Sequence, residues 1–149
     1  MAPTVASNPE ATGRSCRGPD GNARKEKAVE LERLPYELSV CKIADVSDID
    51  LGSELLFVGK TDEEVSLVCP TQDVPKMTTA REDGWRAFRI KGVLDFSLTG
   101  ILARISGVLA EEGIGIFAVS TYNTDYVLVK AENLGRAADA LTRAGYDVD

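Results

Sequence analysis

An amphipathic helix between two strands is the feature that most constrains the fold. Six apolar residues recur at spacings of three and four, which places them on one helical face: Leu98, Ile101, Leu102, Ile105, Val108 and Leu109. Ser97 or Thr99 suits the N-cap, and Gly113 suits the stop. WRAFRIKG (85–92) before the helix and IGIFAV (114–119) after it are typical of strands. The helix therefore needs a sheet to cover its apolar face.

The rest of the second half repeats this alternation. DYVLVK (125–130) is a strand, and Asn133 then caps a helix whose apolar face ends at Gly145. That face consists of Leu134, Ala137, Ala138 and Leu141. YDV closes the chain as a short strand. The order β-α-β-β-α-β predicts an α+β fold of the ferredoxin-like type for residues 85–149.

The first half is rich in strands and too short for two helices. YELSVCKI (36–43), ELLFVG (54–59) and VSLVCP (65–70) are three predicted strands, followed by a loop that contains Pro70, Pro75 and Gly84. FVGKTDEEVSLV (57–68) resembles FAVSTYNTDYVLV (117–129), with one residue more in the second copy. We therefore expect residues 35–84 to form a truncated copy of the second module, leaning on it.

Residues 1–34 are predicted to be a disordered or linker extension. Residues 1–22 have no periodic apolar face, and ARKEKAVELER (23–33) alternates in charge, which favours a short exposed helix or a linker. No apolar run follows Met1, so a secretory signal is not expected. Three early arginines leave an organelle transit peptide as a minor alternative to a cytoplasmic location: Arg14, Arg17 and Arg24.

Charge and hydropathy exclude two classes of partner. The chain carries a net charge of −7, and the acidic excess lies in residues 35–149. Such a surface has no basic footprint for nucleic acid or anionic lipid. No run approaches the roughly 18 apolar residues of a membrane span.

Residue usage argues against catalysis and against a metal or cofactor. Histidine is absent, which excludes Ser-His-Asp and Cys-His catalysis and His-ligated zinc. The three cysteines, Cys16, Cys41 and Cys69, are widely spaced, so buried free thiols on strands in a reducing compartment are expected. An acid–base enzyme using Asp95 and Asp125 is a weaker alternative, because no nucleophile, base or cofactor motif accompanies them. We therefore predict no catalytic residue, cofactor or metal.

The polar segment STYNTD (120–125) is the strongest candidate for binding. All six of its residues carry side chains that hydrogen-bond, in a region between two strands where such residues are otherwise avoided. Asp125 is the one full negative charge, and it partners a cation best. The same residues are also ordinary hairpin residues, and Ser97 and Thr99 are ordinary capping residues, so a turn without ligand stays open.

Three segments carry a resemblance to a known family. LDFSLTG (94–100), STYNTD (120–125) and TDEEVSLVCP (61–70) resemble the ACT domain, specifically small tandem-ACT proteins related to the regulatory modules of aspartokinase and the CASTOR arginine sensors. The resemblance covers about residues 35–148. It implies the ACT form of the ferredoxin-like fold in tandem, with an amino-acid effector site between two ACT modules.

The resemblance also implies which residues would bind. The loop before the first helix corresponds to Phe96, Ser97, Leu98, Thr99, Gly100 and Ile101. The turn after the next strand corresponds to Thr121, Tyr122, Asn123, Thr124 and Asp125. The first module adds Thr61, Asp62 and Glu64. Free N–H groups at a helix N-terminus suit an α-carboxylate, and Asp125 suits an α-ammonium.

One departure bears on the ligand. Arginine-sensing relatives place acidic residues in this loop, where the chain has Ser97 and Leu98. Without that carboxylate a guanidinium loses its charged partner, so a small neutral or apolar amino acid is favoured. Acidic residues of the first module could still supply charge, which leaves arginine and lysine open.

The predicted function is a non-catalytic regulatory module that binds a small ligand. The expected ligand is an amino acid. The alternative is an interaction module whose ACT-like sheets serve self-assembly or docking on an enzyme, without a small ligand. Unpaired strand edges such as that of 36–43 favour a homodimer in either case. A regulated enzyme or signalling protein is the expected further partner.

Overall fold

The computed structural model describes residues 29–92 and 100–149, which form eight strands, two helices and three short 3-10 turns. The strands are β1 Glu30–Arg33, β2 Leu38–Ile43, β3 Phe57–Lys60, β4 Val65–Pro70, β5 Ala80–Ile90, β6 Phe117–Ser120, β7 Asp125–Lys130 and β8 Asp147–Val148. The helices are α1 Ile101–Glu111 and α2 Leu134–Arg143. The 3-10 turns are Val46–Asp48, Thr71–Asp73 and Ala131–Asn133. The predicted order β-α-β-β-α-β is confirmed for β5 to β8.

All eight strands join one sheet that branches at β5. One edge of β5 pairs with β2 and then β1, and the other edge pairs with β7. The sheet continues from β2 through β4 to β3, and from β7 to β6. β8 joins at β1 in the only parallel pairing of the described strands. Two arms, β2-β4-β3 and β7-β6, therefore extend from a single long strand.

β5 begins earlier than the sequence predicted. Residues up to Gly84 were expected in a loop, but the strand starts at Ala80 and contains a bulge at Gly84. Its φ of +84° is a conformation that other residues rarely adopt, so the glycine lets the strand bend without ending. The next residue, Trp85, pairs with both Leu38 of β2 and Lys130 of β7. The expected module boundary between residues 84 and 85 thus lies inside one strand.

β1 replaces part of the helix or linker expected over residues 23–33, and that prediction is wrong for Glu30–Arg33. Leu31 is 1% exposed, and it pairs with Ile90 on one side and Val148 on the other. β1 therefore lies between β5 and β8, where it joins the last strand to the sheet. The expected disorder of residues 1–22 concerns residues outside the described part of the chain, as does the transit-peptide alternative.

The internal repeat is present as two hairpins of identical register. Phe57 pairs with Val68, and Phe117 pairs with Leu128, sixty positions further on in each case. In the turns, the N–H of Thr61 donates to the Glu64 carbonyl at 2.9 Å, and that of Thr121 to the Thr124 carbonyl at 2.8 Å. The extra residue expected in the second copy is therefore wrong, because the hairpins superimpose without an insertion.

The two helices follow the predicted apolar faces. Ile105 and Leu109 of α1 are buried, as are Ala137, Ala138, Ala140 and Leu141 of α2. α1 ends before Gly113, whose φ is +74°, as predicted. Its N-cap is Gly100 at a φ of +87°, and not Ser97 or Thr99 as expected. No helix in residues 29–92 and 100–149 is long and apolar enough to cross a membrane.

The buried residues form three clusters around the sheet. The helix-side cluster joins α1 and α2 to β1, β5 and β7, with Leu31, Phe88 and Ile105 among its members. A second cluster lies between the two arms, where the Phe57 and Tyr126 rings are 4.9 Å apart. The third contains the thiols of Cys41 and Cys69, which are buried, free and on strands, as predicted. Cys16 lies outside the described residues.

Candidate functional site

The polar turn of residues 121–124 is fixed to the end of β5. The Thr124 hydroxyl donates a 2.7 Å hydrogen bond to the carbonyl of Ile90, the last residue of β5. Thr124 is only 6% exposed, so this bond is sheltered from water. β5 leads into the segment before α1. The bond therefore joins the predicted binding turn to the strand that precedes the predicted binding loop.

Hydrogen bonds within the turn account for the Thr121 side chain. Its hydroxyl donates to the Thr124 carbonyl at 2.9 Å and accepts from the Thr124 N–H at 3.4 Å. These bonds are those of a tight hairpin turn, and they hold the backbone at residues 122 and 123 in one conformation. Thr121 thus has a structural role in the turn.

Asp125 starts β7 at the boundary between core and solvent. It is half-buried, and strand alternation places it on the same face as Val127 and Val129, which belong to the helix-side cluster. The pairing of Arg89 with Tyr126 puts Asp125 beside Ile90. None of the five ion pairs among the described residues includes Asp125. Asp125 thus has no ion-pair partner within the described residues.

The N-terminus of α1 lies at the same end of the sheet. Gly100 precedes the helix in the left-handed conformation, and its carbonyl accepts the Arg104 N–H at 2.9 Å. Ile101 and Leu102 in the first turn pack against the cluster that contains Ile90 and Val127. The first N–H groups of a helix have no partner inside it, so this end attracts a carboxylate. Phe96, Ser97, Leu98 and Thr99 lie outside the described residues.

Tyr122 and Asn123 form the exposed tip of the turn. Tyr122 is 80% exposed, and Asn123 is exposed as well. Both residues precede Asp125 at the end of the hairpin and lie outside the core. Contact with a ligand at these two positions remains a prediction.

The residues predicted in the first module occupy the equivalent turn of the other hairpin. The Thr61 hydroxyl accepts the N–H groups of Glu63 at 3.0 Å and Glu64 at 3.2 Å, which stabilises that turn. Glu64 lines a hollow of about 430 Å³ together with Lys42 and Phe117. No residue of 121–125 lines that hollow. Among the described residues, the two turns therefore do not share a cavity.

A charged pair near the site was not predicted from the sequence. Arg89 donates from Nε and a terminal nitrogen to the Glu32 carboxylate, at 3.3 and 3.1 Å. The guanidinium also lies 5.9 Å from the centre of the Tyr126 ring, next to Asp125 in the chain. This pair depends on β1 joining the sheet, because Glu32 is opposite Arg89 in that pairing. No local pattern in the sequence indicates it.

Comparison with known proteins identifies the family. The ACT domain family model matches residues 80–143. The solved structure of protein Atu0741 from Agobacterium tumefaciens is 30% identical, with a TM-score of 0.73, and the match covers 83% of this chain and 94% of that one. The chain belongs to the ACT-domain family. The expected ACT form of the α+β fold is thereby confirmed.

Two further known proteins are similar to this chain, one in part of its sequence and one in fold. The cytosolic arginine sensor for mTORC1 subunit 1 of Homo sapiens is 37% identical over 68 residues, which is 45% of this chain and 21% of the sensor. The chain thus spans about a fifth of the length of the curated relatives it matches. The regulatory subunit of aspartate kinase from Thermus thermophilus shares 11% identity and a TM-score of 0.58, over 79% of this chain and 99% of that one. That likeness shows the fold alone.

Proposed function

We propose that the chain is a non-catalytic regulatory module that binds a free amino acid between the 121–125 turn and the N-terminus of α1. The observation that carries the proposal is the buried hydrogen bond from Thr124 to the Ile90 carbonyl. It holds a half-buried carboxylate, Asp125, next to the strand that leads into the helix. The site then has a positive end at the α1 N-terminus and a negative end at Asp125. These ends complement the two charges of a zwitterionic amino acid.

Each end of the ligand has its own partner in this arrangement. The N–H groups at the start of α1 donate hydrogen bonds to the α-carboxylate, where the helix dipole favours negative charge. Asp125 accepts the α-ammonium through a charge-assisted hydrogen bond worth about 1.5–3 kcal/mol. Among the described residues, a Cβ at Gly100 would meet only the Arg104 side chain, at 4.0 Å. The backbone can therefore approach a ligand closely.

The sequence of this site favours a small neutral or apolar amino acid. Ser97 and Leu98 supply no carboxylate for a guanidinium or ammonium side chain. Relatives include an arginine sensor, so arginine and lysine belong in the same screen. The β2-β4-β3 arm of residues 35–84 is, in this proposal, a truncated ACT-like module beside the second module of residues 85–149. Its Thr61, Asp62 and Glu64 would contribute only across an interface between modules.

A thermal-shift screen against the standard amino acids tests the proposal. A ligand that binds only the native state must raise the unfolding midpoint, and at a hundred times its Kd it adds about 2.7 kcal/mol. We expect one or a few amino acids to raise the midpoint at millimolar concentration. Absence of a shift with every amino acid would reject the proposed site.

Asp125→Asn tests the role of the carboxylate. The change keeps the size of the side chain and removes its charge, so we expect amino-acid affinity to fall about ten- to a hundredfold. The free energy of unfolding should change by less than about 1 kcal/mol. Calorimetric titration measures the affinity, and Asp139→Asn on the exposed side of α2 is the matched control. A well-folded Asp125→Asn protein with unchanged affinity contradicts the assignment.

Docking without a ligand is the second candidate function, and the strand edges favour it. Among the described strands, β3 pairs only with β4 and β6 only with β7, so each hairpin presents an open edge. A homodimer through these edges, which light scattering of the purified chain tests, fits both functions. A regulated enzyme or signalling protein is the proposed partner, and the cytoplasm is the proposed location.

A further inference from the structure

Tyr146 is a buried tyrosine at the end of α2. Gly145, with a φ of +103°, ends the helix and reverses the chain, and the Tyr146 N–H then donates to the Leu141 carbonyl at 3.0 Å. This turn directs the Tyr146 side chain into the helix-side cluster, where the residue is 7% exposed. The turn at the end of α2 therefore determines where the Tyr146 side chain lies.

The Tyr146 hydroxyl has no hydrogen-bond partner among the described residues. The two other buried hydroxyl residues both have one: Thr124 donates to Ile90 at 2.7 Å, and Ser39 donates to Asp83 at 2.6 Å. A buried hydroxyl without a partner costs about 1–3 kcal/mol, and phenylalanine would avoid that cost in the same space. The hydroxyl is thus an unused donor inside an apolar cluster.

Sheet pairing places Tyr146 at the ligand-binding end proposed above. Leu31 lies between Ile90 and Val148, and the Asp147 N–H donates to the Val29 carbonyl at 3.0 Å. Ile90, Leu31 and Val148 lie side by side on three strands, and Tyr146 is two residues before Val148. Tyr146 is therefore near the same end of the sheet as the last residue of β5. Ile101 and Leu102, in the first turn of α1, pack against the same cluster. Tyr146 thus shares one buried cluster with the first turn of α1.

We propose that the Tyr146 hydroxyl donates a hydrogen bond to the carboxylate of the bound amino acid, beside the N–H groups of α1. This inference rests on the proposed function and deepens it, since it assigns a buried residue of α2's C-terminal end to ligand recognition. Binding then satisfies a donor that is unpaired in the free protein. A carboxylate gains more from this donor than an uncharged group of similar size does, because the hydrogen bond is charge-assisted.

Tyr146→Phe tests the inference in two independent ways. Without ligand, removal of an unpaired hydroxyl should leave the unfolding midpoint unchanged or raise it. With each standard amino acid that stabilises the wild type, affinity should fall about tenfold or more. The corresponding α-carboxamide, which lacks the carboxylate, should lose less. Tyr36→Phe is the control, because its hydroxyl donates to Glu54 at 2.9 Å in the other arm and should not affect binding.

The outcomes separate this inference from the proposed function. Equal affinity of Tyr146→Phe and wild type for the amino acid overturns the role of Tyr146 and leaves the proposed function standing. A ligand-free Tyr146→Phe protein that unfolds several degrees earlier shows that the hydroxyl is bonded within the protein, which also overturns it. A wild type that binds no amino acid rejects the proposed function and this inference together.

Discussion

The Thr124 side chain links the sheet to the turn of the candidate site. Its hydroxyl bonds the carbonyl at the end of β5, while its own carbonyl accepts two hydrogen bonds from Thr121. The first bond fixes the turn relative to the sheet, and the second pair fixes the shape of the turn. Together they restrain the backbone that leads into Asp125.

Thr124→Val should destabilise the protein while it preserves the shape of the side chain. The Ile90 carbonyl would remain buried without its partner, so the free energy of unfolding should fall by about 1–3 kcal/mol. Urea unfolding measures this change. Thr124→Ser retains the hydroxyl and should recover most of the loss. If valine is as stable as threonine, the bond does not anchor the turn.

Cys69 links stability to pH. Burial, with smaller contributions from Cys41 and Asp73, raises the pKa of the Cys69 thiol from 9.0 to about 12. The residue is fully buried. Between pH 9.0 and about pH 12, the thiol is deprotonated in the unfolded state and protonated in the native state. The native state therefore binds more protons there, and stability falls as the pH rises.

We expect Cys69 to contribute a loss of about 1.4 kcal/mol per pH unit above pH 9, and no change below it. Urea unfolding of wild type and Cys69→Ala at a series of pH values isolates this contribution. Groups that do not interact with Cys69 titrate equally in both proteins, so the difference between the two curves is the measured quantity. A difference that stays constant above pH 9 means that the native thiol titrates normally.

At the scale of the element, β1 is the segment whose structure depends most on distant partners. Its residues, Glu-Leu-Glu-Arg, are good helix formers, yet they form a strand between β5 and β8. Leu31 supplies the apolar side chain that this position needs in the helix-side cluster. The strand also brings the Arg33 Nε to the carbonyl of Asp149 at 2.8 Å. β1 thus holds the C-terminal residues of the chain against the sheet.

Leu31→Ala should lower the free energy of unfolding by about 2–5 kcal/mol, because it removes a fully buried side chain from a packed cluster. Leu51→Ala is the matched control, since Leu51 is 78% exposed, and it should change stability by no more than about 0.5 kcal/mol. Urea unfolding compares the two. Equal effects would show that β1 does not pack in the sheet.

At the scale of the whole molecule, β5 makes the two arms one folding unit. Its first half pairs with β2 and its second half with β7, and the bulge at Gly84 lies between them. The Phe57 ring of one arm also contacts the Tyr126 ring of the other. Separation of the arms would require breaking the central strand as well as this aromatic contact.

We therefore expect a single cooperative unfolding transition. Helical circular dichroism reports α1 and α2, which pack against β7, and reaction of Cys41 and Cys69 with a thiol reagent reports the β2-β4-β3 arm. Both probes should give the same midpoint in urea. Cys16→Ser removes the background thiol. Two separated midpoints would mean that the arms unfold independently.

Local patterns predicted most of the second half. The spacing of apolar residues in α1 and α2 identified their buried faces, and Gly113 and Gly145 identified their ends. Cys41 and Cys69 were expected as buried thiols on strands. Each of these features depends on residues close together in the chain, so the sequence carries the signal within one segment.

Other features were decided by partners far away in the chain. Glu30–Arg33 became a strand because β5 and β8 supply the hydrogen bonds, and these bonds exist only in the assembled sheet. Gly84 continued a strand where it was expected in a loop, because two partners meet at the bulge. The candidate site also depends on distant partners, because the Thr124 hydroxyl meets the Ile90 carbonyl only in the folded sheet.

The sequence by itself determined which hydrogen-bonding groups the candidate site contains: a polar turn with one carboxylate, and a glycine before a helix. Only the tertiary structure decided that the turn is bonded to the end of β5, and that Tyr146 is buried at the same end with a free hydroxyl. The physical reason is that hydrogen-bonding capacity belongs to each residue. Its use depends on which partners the folded sheet brings within reach.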